Sequence, residues 1–338
     1  LFSFFFYSLA SECGVSNPVE DQMAHGISPL GKWPWQVYVT TPDSICGGTI
    51  IADRWVLTAA HCFGSQLKGE TFEEKPSIRA GAVNVGEDPK DEAERNNMYD
   101  VLTFYTHEEY DNETYANDIA LLELERPISY SSTISPICLA NADQDVNIDQ
   151  EAWIVGFGAY LDDHTGVLVP YASTVLRETS IPLSLHTKCK SEWEEGHEVD
   201  PLICAGSHGI GAGQGDSGGP LMVQSVDGQW YQVGVVSFGE EDADIATNHT
   251  IGAYTSVGHY CDWIESTSRG EATCAGETVE MKLLPEEDRE QANIDTYIDE
   301  EDKKDEEGKE EESSDEDEYK SDEETTKISL SELLSRHT

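Results

Sequence analysis

Short apolar runs of four to eight residues recur from about residue 33 to residue 238 and predict β-strands. Clusters of Gly, Pro, Asn and Asp separate the runs, and no long segment with a 3.6-residue period interrupts them. The pattern is typical of an all-β fold of barrel or sandwich type, with one short helix predicted near Tyr260–Ser266. The predicted strands lie at Trp33–Val39, Gly48–Ile51, Trp55–Thr58, Ile119–Leu124, Trp153–Phe157 and Tyr231–Phe238.

The composition changes after Cys274, where acidic residues and serine replace the apolar ones. The 338 residues have a formal net charge of −47, and residues 277–338 alone hold 25 acids against 8 bases. Such a segment buries too little apolar surface to offset the entropy of ordering, so we predict that it is disordered. A chain this acidic repels a polyanion, which excludes direct binding to a nucleic-acid backbone. No apolar run is long enough to predict a membrane-spanning helix.

The chain divides into four predicted segments. Residues 1–10 are apolar and end in a small-x-small pattern, so we interpret them as the remainder of a secretory signal peptide, with a hydrophobic propeptide or a buried first strand as the alternative. Residues 11–22 form a propeptide-like segment, residues 23–268 the folded domain and residues 269–338 the acidic extension. Eight cysteines, and acceptor patterns for N-glycans at Asn112 and Asn248, agree with a secreted, extracellular protein.

Three local motifs supply candidate chemistry. His61 precedes Cys62 at the end of an apolar run, Asp118 opens another run, and Ser217 lies in the glycine-rich turn Gly215–Pro220. Each motif alone has a structural explanation, because a single His, an Asp before a strand and a Gly-rich turn are common. Together they provide a hydroxyl nucleophile, a base with a pKa near neutrality and an acceptor that fixes the tautomer of that base.

The order His–Asp–Ser and the motif around Ser217 resemble the chymotrypsin/trypsin family of serine proteases, from about Cys13 to Glu265. The resemblance implies two six-stranded antiparallel β-barrels followed by a short C-terminal helix. It also implies that His61 is the general base, that Asp118 orients the imidazole and that Ser217 attacks the substrate. The N–H groups of Gly215 and Ser217 would form the oxyanion hole.

The resemblance also indicates the pocket for the substrate residue P1, which precedes the cleaved bond. A trypsin has an Asp six residues before the nucleophile, where this chain has Gly211, so we expect a preference for apolar P1 residues. A solvated loop with acids at 240, 241, 242 and 244 follows this region, and a carboxylate from it reaching the pocket is the alternative. The implied pocket residues are Gly211, Ser237, Phe238, Gly239 and Gly252, with Phe238 where Trp is usual.

The cysteines match the family pattern in pairs. The resemblance implies bridges Cys46–Cys62, Cys189–Cys204 and Cys13–Cys138, and leaves Cys261 and Cys274 to pair with each other. Two further family bridges are missing as whole pairs, including the one that would begin at Gly213, so the pocket loop is expected to be looser.

Activation departs from the family pattern. There a basic residue precedes the cut, and the freed amine pairs with the Asp before the nucleophile, which is Asp216 here. No Lys or Arg lies between Cys13 and Lys32, so either a non-tryptic protease cuts near Met23 or the chain stays zymogen-like. A non-catalytic homologue that binds a partner is therefore the alternative to a protease.

Two binding hypotheses are weaker. The acids Glu87, Asp88, Asp91, Glu92 and Glu94 lie in the loop where some family members bind Ca²⁺, although acidic loops are usually only solvated. The acidic extension could dock to a basic protein surface or mask the cleft, with a solvated tail as the simplest interpretation. The expected partners are protein or peptide substrates, with no cofactor and no bound metal.

Overall fold

The computed structural model describes residues 13–17, 26–42, 44–66, 75–162, 167–169, 172–193, 201–207, 210–239 and 251–289. The predicted signal segment, Asn248, the acids at 240–244 and the extension from residue 290 lie outside these ranges. None of the described helices is long and apolar enough to cross a membrane.

The first sheet is a closed antiparallel barrel of six strands in the order β1-β2-β3-β6-β5-β4. Its inward side chains include Val37, Val39, Ile50 and Leu122, all fully buried. The closure removes free strand edges, so every strand has two partners. The strands are β1 (Gln36–Thr40), β2 (Ile45–Ala52), β3 (Trp55–Thr58), β4 (Ser77–Ala80), β5 (Met98–Thr106) and β6 (Ala120–Leu124).

The second sheet follows the order β11-β8-β13-β14-β15-β12, with β7 pairing parallel to β14. Among the described residues, the two ends of this six-stranded path meet through a bridge between Leu183 and Ala205, so the sheet is a half-barrel, consistent with the second predicted barrel. A separate hairpin joins β9 to β10. The strands are β7 (Cys138–Leu139), β8 (Glu151–Gly156), β9 (Tyr160–Asp162), β10 (Val167–Val169), β11 (Arg177–Pro182), β12 (Leu202–Ala205), β13 (Pro220–Gln224), β14 (Trp230–Phe238) and β15 (Gly252–Ser256).

The predicted all-β architecture with a short C-terminal helix is confirmed. That helix is α3 (Cys261–Thr267), and two further short helices, α1 (Glu92–Asn96) and α2 (His186–Trp193), were not predicted. Each is only one or two turns long, too short for a clear 3.6-residue period. Asp91 could have indicated the start of α1 in the sequence, because Asp is a preferred N-cap residue. In the structure its side chain accepts a hydrogen bond from the N–H of Glu94 at 2.9 Å.

Both sheets contribute to one packed boundary, where the site described below lies. Trp35 of the first barrel donates its indole N–H to the sulfur of Met222 on β13 at 3.0 Å, and both side chains are fully buried. Tyr38 packs edge-to-face against Phe157 at 5.3 Å. Four disulfides join the same pairs that the family resemblance implied, namely Cys13–Cys138, Cys46–Cys62, Cys189–Cys204 and Cys261–Cys274.

The chain stays folded beyond Cys274, where composition predicted disorder. Residues 275–284, here called the C-terminal strap, lie along the second sheet, with the N–H of Lys282 bonded to Gln224 O and that of Leu284 to Asp149 O, both at 2.7 Å. Met281 is only 5% exposed. The strap has the two-residue period of a strand at Val279, Met281 and Leu283, a local signal hidden by the acidic average of the extension.

We expect the strap to contribute to the stability of the second sheet. Replacing Met281 with Ala should lower the free energy of unfolding by about 2–4 kcal/mol, since it empties a buried site. Leu283→Ala is the matched control, because Leu283 is 49% exposed and should change stability by less than about 1 kcal/mol. Urea unfolding monitored by tryptophan fluorescence measures both, and equal effects would show that the strap is not packed as described.

Candidate active site

Asp118, directly before β6, is the most connected side chain of the site and is fully buried. Its Oδ1 accepts the backbone N–H of His61 at 2.8 Å, and its Oδ2 lies 2.7 Å from His61 Nδ1. Ser237 of β14 also donates its hydroxyl to Oδ2, and Thr255 of β15 donates to the carbonyl of Asp118 at 2.9 Å. Asp118 is therefore held by two hydroxyls of the second sheet, one on its carboxylate and one on its backbone carbonyl, and its carboxylate fixes the imidazole.

His61 lies in the 3-10 turn Ala60–Gln66 that follows β3, and its side chain is 20% exposed. Burial lowers the pKa of the imidazole, but the negative charge of Asp118 and the hydrogen bond to it raise the pKa more, so that it lies above its usual 6.5. The bond at Nδ1 leaves Nε2 of the neutral ring as the nitrogen that can accept a proton.

Ser217 lies in a turn that is pressed against the first barrel. Its carbonyl accepts the N–H of Gly47 at 2.8 Å. The next residue, Gly218, has φ of +77°, and a Cβ there would lie 2.1 Å from Thr58 Oγ1. Only glycine permits this approach, which brings the Ser217 turn against the segment that leads from Thr58 to His61.

Two backbone N–H groups of the Ser217 turn, those of Gly215 and Ser217, are the predicted oxyanion-hole donors. Gly215 has φ of +101°, a conformation that favours glycine. No acceptor among the described residues receives the N–H of Gly215 or Ser217. Within the same ranges, no hydrogen bond joins Ser217 Oγ to His61, as is common before substrate binds.

The predicted pocket residues fall into two groups. The space beside Gly239, here called the slot, is open among the described residues: a Cβ on Gly239 would meet only Gly252 Cα, at 3.9 Å, whereas a Cβ on Gly252 would meet the ring of Tyr254 at 3.3 Å. Phe238 lies beside the slot, while Ser237 bonds to Asp118. Gly211 instead lines the cavity around Asp216 that is described below.

An aromatic row that the sequence analysis missed extends away from His61. The ring of Tyr115 lies 5.7 Å from that of His61 and 5.5 Å from that of Phe238, which contacts Trp193 edge-to-face at 5.1 Å. Tyr115 has φ of +55°, unusual for a residue with a side chain. Its position three residues before Asp118 was visible in the sequence, but its orientation depends on this backbone.

Asp216 lines a cavity of about 410 Å³ next to the Ser217 turn. Its carboxylate accepts the N–H groups of Gly158 at 2.7 Å and Gly213 at 2.9 Å, and no ion pair among the described residues reaches it. Burial raises the pKa of Asp216 to about 6, against the two backbone hydrogen bonds, which lower it. A Cβ on Gly156 would lie 2.1 Å from the carboxylate, so the cavity wall requires glycine there.

The start of the predicted folded domain leads towards this cavity. Gly26 lines the cavity, and its carbonyl accepts the N–H of Glu178 at 2.8 Å, while Ile27 bridges to Arg177. The predicted cleavage region near Met23 lies outside the described residues.

The acidic loop proposed for Ca²⁺ forms ion pairs with basic side chains. Glu87 lies 2.9 Å from Lys90, and Glu94 lies 3.5 Å from Arg79. In the part of the chain that the structure describes, these acids do not converge to ligand distance; the only such group of three is Cys46, His61 and Cys62. Both of those cysteines are in a disulfide and are not available to a metal.

Residues 27–264 match the sequence model of the family described as Trypsin, which covers well over half of the chain. The matched range includes both sheets and all the residues of the site, and it ends within α3, before the C-terminal strap.

The buried, unpaired carboxylate of Asp216 should make stability depend on pH. Because its folded-state pKa is raised, its contribution favours folding fully below the unfolded pKa near 3.8 and is lost as pH rises through about 6, at a cost of about 3 kcal/mol. Asp216→Asn in the uncleaved chain should abolish this loss. The measurement is the free energy of unfolding of wild type and of Asp216→Asn at pH 4 and at pH 8, and the variant should gain stability relative to wild type as pH rises.

Asp111→Asn is the matched control, because the pKa of Asp111 is shifted in the opposite direction to that of Asp216. Backbone hydrogen bonds from Thr114 and Glu113 lower the pKa of Asp111, so its contribution is present above the unfolded pKa and is lost as pH falls. A pH-independent difference for Asp216→Asn would contradict the described environment of that carboxylate.

Proposed function

The chain belongs to the trypsin family of serine proteases, and we propose that it is a secreted endopeptidase that cleaves peptide bonds through an acyl-enzyme at Ser217. The observation that supports this most strongly is the fully buried Asp118, bonded at once to the backbone and the imidazole of His61. A structural role alone does not require a buried carboxylate that fixes one nitrogen of an imidazole and leaves the other free to accept a proton.

The proposed reaction uses each of these groups at a defined step. Ser217 Oγ attacks the carbonyl carbon of the substrate while His61 Nε2 takes the hydroxyl proton. The C–N bond then breaks, and the same proton passes from His61 to the leaving amine. Water repeats the sequence on the ester, with His61 again as base, and releases the carboxylic acid and Ser217. Asp118 holds the imidazole throughout and stabilises the imidazolium.

The negative charge that develops on the substrate oxygen needs donors that are already oriented. The N–H groups of Gly215 and Ser217 are the candidates, because they have no described acceptor and Gly215 holds the required positive φ. Loss of one such donor typically costs about 3–4 kcal/mol of barrier.

The slot between Gly239 and Gly252 supports the proposed preference for apolar P1 residues. Among the described residues, only Gly252 Cα lies within 4 Å of a Cβ built on Gly239, and Phe238 adds an aromatic surface beside the slot. A Lys or Arg side chain would need a buried counter-charge, and none of the described wall residues supplies one.

Narrowing this slot should change the preference. Gly239→Val should lower kcat/KM for peptide anilides with P1 Phe about tenfold or more relative to P1 Ala, because a branched side chain excludes the larger ring. Gly276→Val is the control, since a Cβ there meets nothing within 4 Å. Faster cleavage after Lys or Arg than after Phe by the wild type would contradict the apolar assignment.

Activation would follow from cleavage in the segment before Gly26. A new α-ammonium group close to Asp216 would neutralise a carboxylate whose only donors among the described residues are backbone N–H groups. With no Lys or Arg between Cys13 and Lys32, the activating protease must be non-tryptic.

A binding protein without catalytic activity is the second candidate. It is favoured by the missing basic cleavage site and by the absence, among the described residues, of a cation paired with Asp216. Both candidates use the same scaffold, so only reactivity at Ser217 separates them.

Labelling with a fluorophosphonate decides between them. We expect covalent labelling of the secreted protein, loss of labelling in Ser217→Ala, and an N-terminus of the labelled species near Met23. Ser225→Ala is the matched control, because Ser225 is buried in the second sheet outside the site and its loss should keep labelling. Absence of labelling in every processed form would favour the binding protein.

A further inference from the structure

The loop between β5 and β6 presents an exposed glycan acceptor. Asn112 belongs to the pattern Asn112-Glu113-Thr114, is exposed, and its side chain bonds to no other described residue. The turn is held from inside, because Asp111 Oδ1 accepts the N–H groups of Glu113 at 2.8 Å and Thr114 at 3.0 Å. Asparagine in such an exposed pattern is the substrate of N-glycosylation in secreted proteins.

The same loop forms one edge of the active-site cleft. Tyr115 follows Asn112 by three residues, and its ring lies 5.7 Å from His61 and 5.5 Å from Phe238. Consecutive Cα atoms are about 3.8 Å apart, so the Cα atoms of Asn112 and Tyr115 are within about 11 Å of each other. A group attached to Asn112 is therefore anchored within about 11 Å of the Cα of Tyr115, whose ring contacts the imidazole of His61.

The loop is also tethered, so it cannot carry such a group far from the cleft. The N–H of Asp111 bonds to Ala116 O at 3.1 Å, which closes the turn. Asn117 donates its amide to Glu109 O at 3.0 Å and accepts the hydroxyl of Tyr260 at 3.0 Å. These bonds close the turn on itself and fix its C-terminal end to Tyr260.

We propose that Asn112 carries an N-linked glycan and that this glycan restricts the cleft to extended or unfolded chains, excluding folded proteins. The proposal rests on the proposed proteolytic function and on secretion. A lipid-linked oligosaccharide diphosphate supplies the sugar: a bond forms between Asn112 Nδ2 and the anomeric carbon, the bond from that carbon to the diphosphate breaks, and the amide nitrogen loses a proton.

The proposed glycan on Asn112 obstructs the cleft by its bulk and not by its charge. The same loop contains Glu108, Glu109, Asp111 and Glu113, and these acids attract or repel protein substrates with or without a glycan. Their effect is screened by salt, whereas exclusion by a bulky neutral glycan is not. Measurements at low and high ionic strength therefore separate the two contributions.

The test compares wild type, Asn112→Gln and Thr114→Ser, each secreted from a glycosylating eukaryotic host. Thr114→Ser keeps the acceptor pattern and is the matched control. We expect a glycopeptide containing residue 112 by mass spectrometry in wild type and Thr114→Ser only. The substrates are a short peptide anilide, reduced unfolded serum albumin and native serum albumin.

Asn112→Gln should raise kcat/KM for native albumin severalfold at both ionic strengths, with no change for the anilide. Wild type and Asn112→Gln produced in a host without N-glycosylation should be equal on all three substrates. An unmodified residue 112, or a glycan whose loss leaves the ratio of native to unfolded albumin hydrolysis unchanged, overturns the proposal.

If no form hydrolyses any substrate or reacts with a fluorophosphonate, the proposed function fails separately. The same proteins are then compared for binding to a small folded protein inhibitor of serine proteases. Weaker binding by the glycosylated forms would support the restriction of the cleft, and equal or undetectable binding of all forms would overturn it.

Discussion

The site depends first on the burial of one carboxylate at the boundary of the two sheets. The side chain of Asp118 is a carboxyl group in a fully buried position. A buried carboxyl group is stable only when its oxygens accept hydrogen bonds. His61 satisfies it from the first barrel and Ser237 from β14, while Thr255 of β15 donates to the backbone carbonyl of Asp118. The same contacts join the sheets and orient the imidazole, so stability and chemistry share one set of hydrogen bonds.

Glycines allow the second sheet to approach closely enough for this arrangement. Gly218 brings the Ser217 turn within bonding distance of Gly47, and Gly156 leaves room for the Asp216 carboxylate. A side chain at Gly218 or Gly156 would meet an atom at 2.1 Å. The turn that holds Ser217, the proposed nucleophile, therefore depends on glycines, which have no side chain to obstruct the contact. It lies beside the cavity of Asp216, whose carboxylate pairs with no cation among the described residues.

Two segments outside the site, the loop with Tyr115 and the chain after α3, are fixed to the protein by different contacts. The loop with Tyr115 is fixed by hydrogen bonds to its own turn and to Tyr260, next to α3, which gives the cleft a defined edge. After α3, Arg269 pairs with Glu123 at 2.7 Å and Trp55 donates to Glu271 at 3.0 Å, so the chain first contacts the first barrel and then runs as the strap along the second. The folded region thus extends past the range that matches the family.

The sequence alone determined the all-β fold, the C-terminal helix and the three motifs around His61, Asp118 and Ser217, because strand periodicity and local motif chemistry are written in neighbouring residues. It could not determine how far the second sheet closes, the orientation of Tyr115 or the unpaired state of Asp216 among the described residues, since each depends on contacts between residues far apart in the chain. Composition misjudged residues 275–284 because burial of Met281 depends on a surface that only the folded second sheet provides.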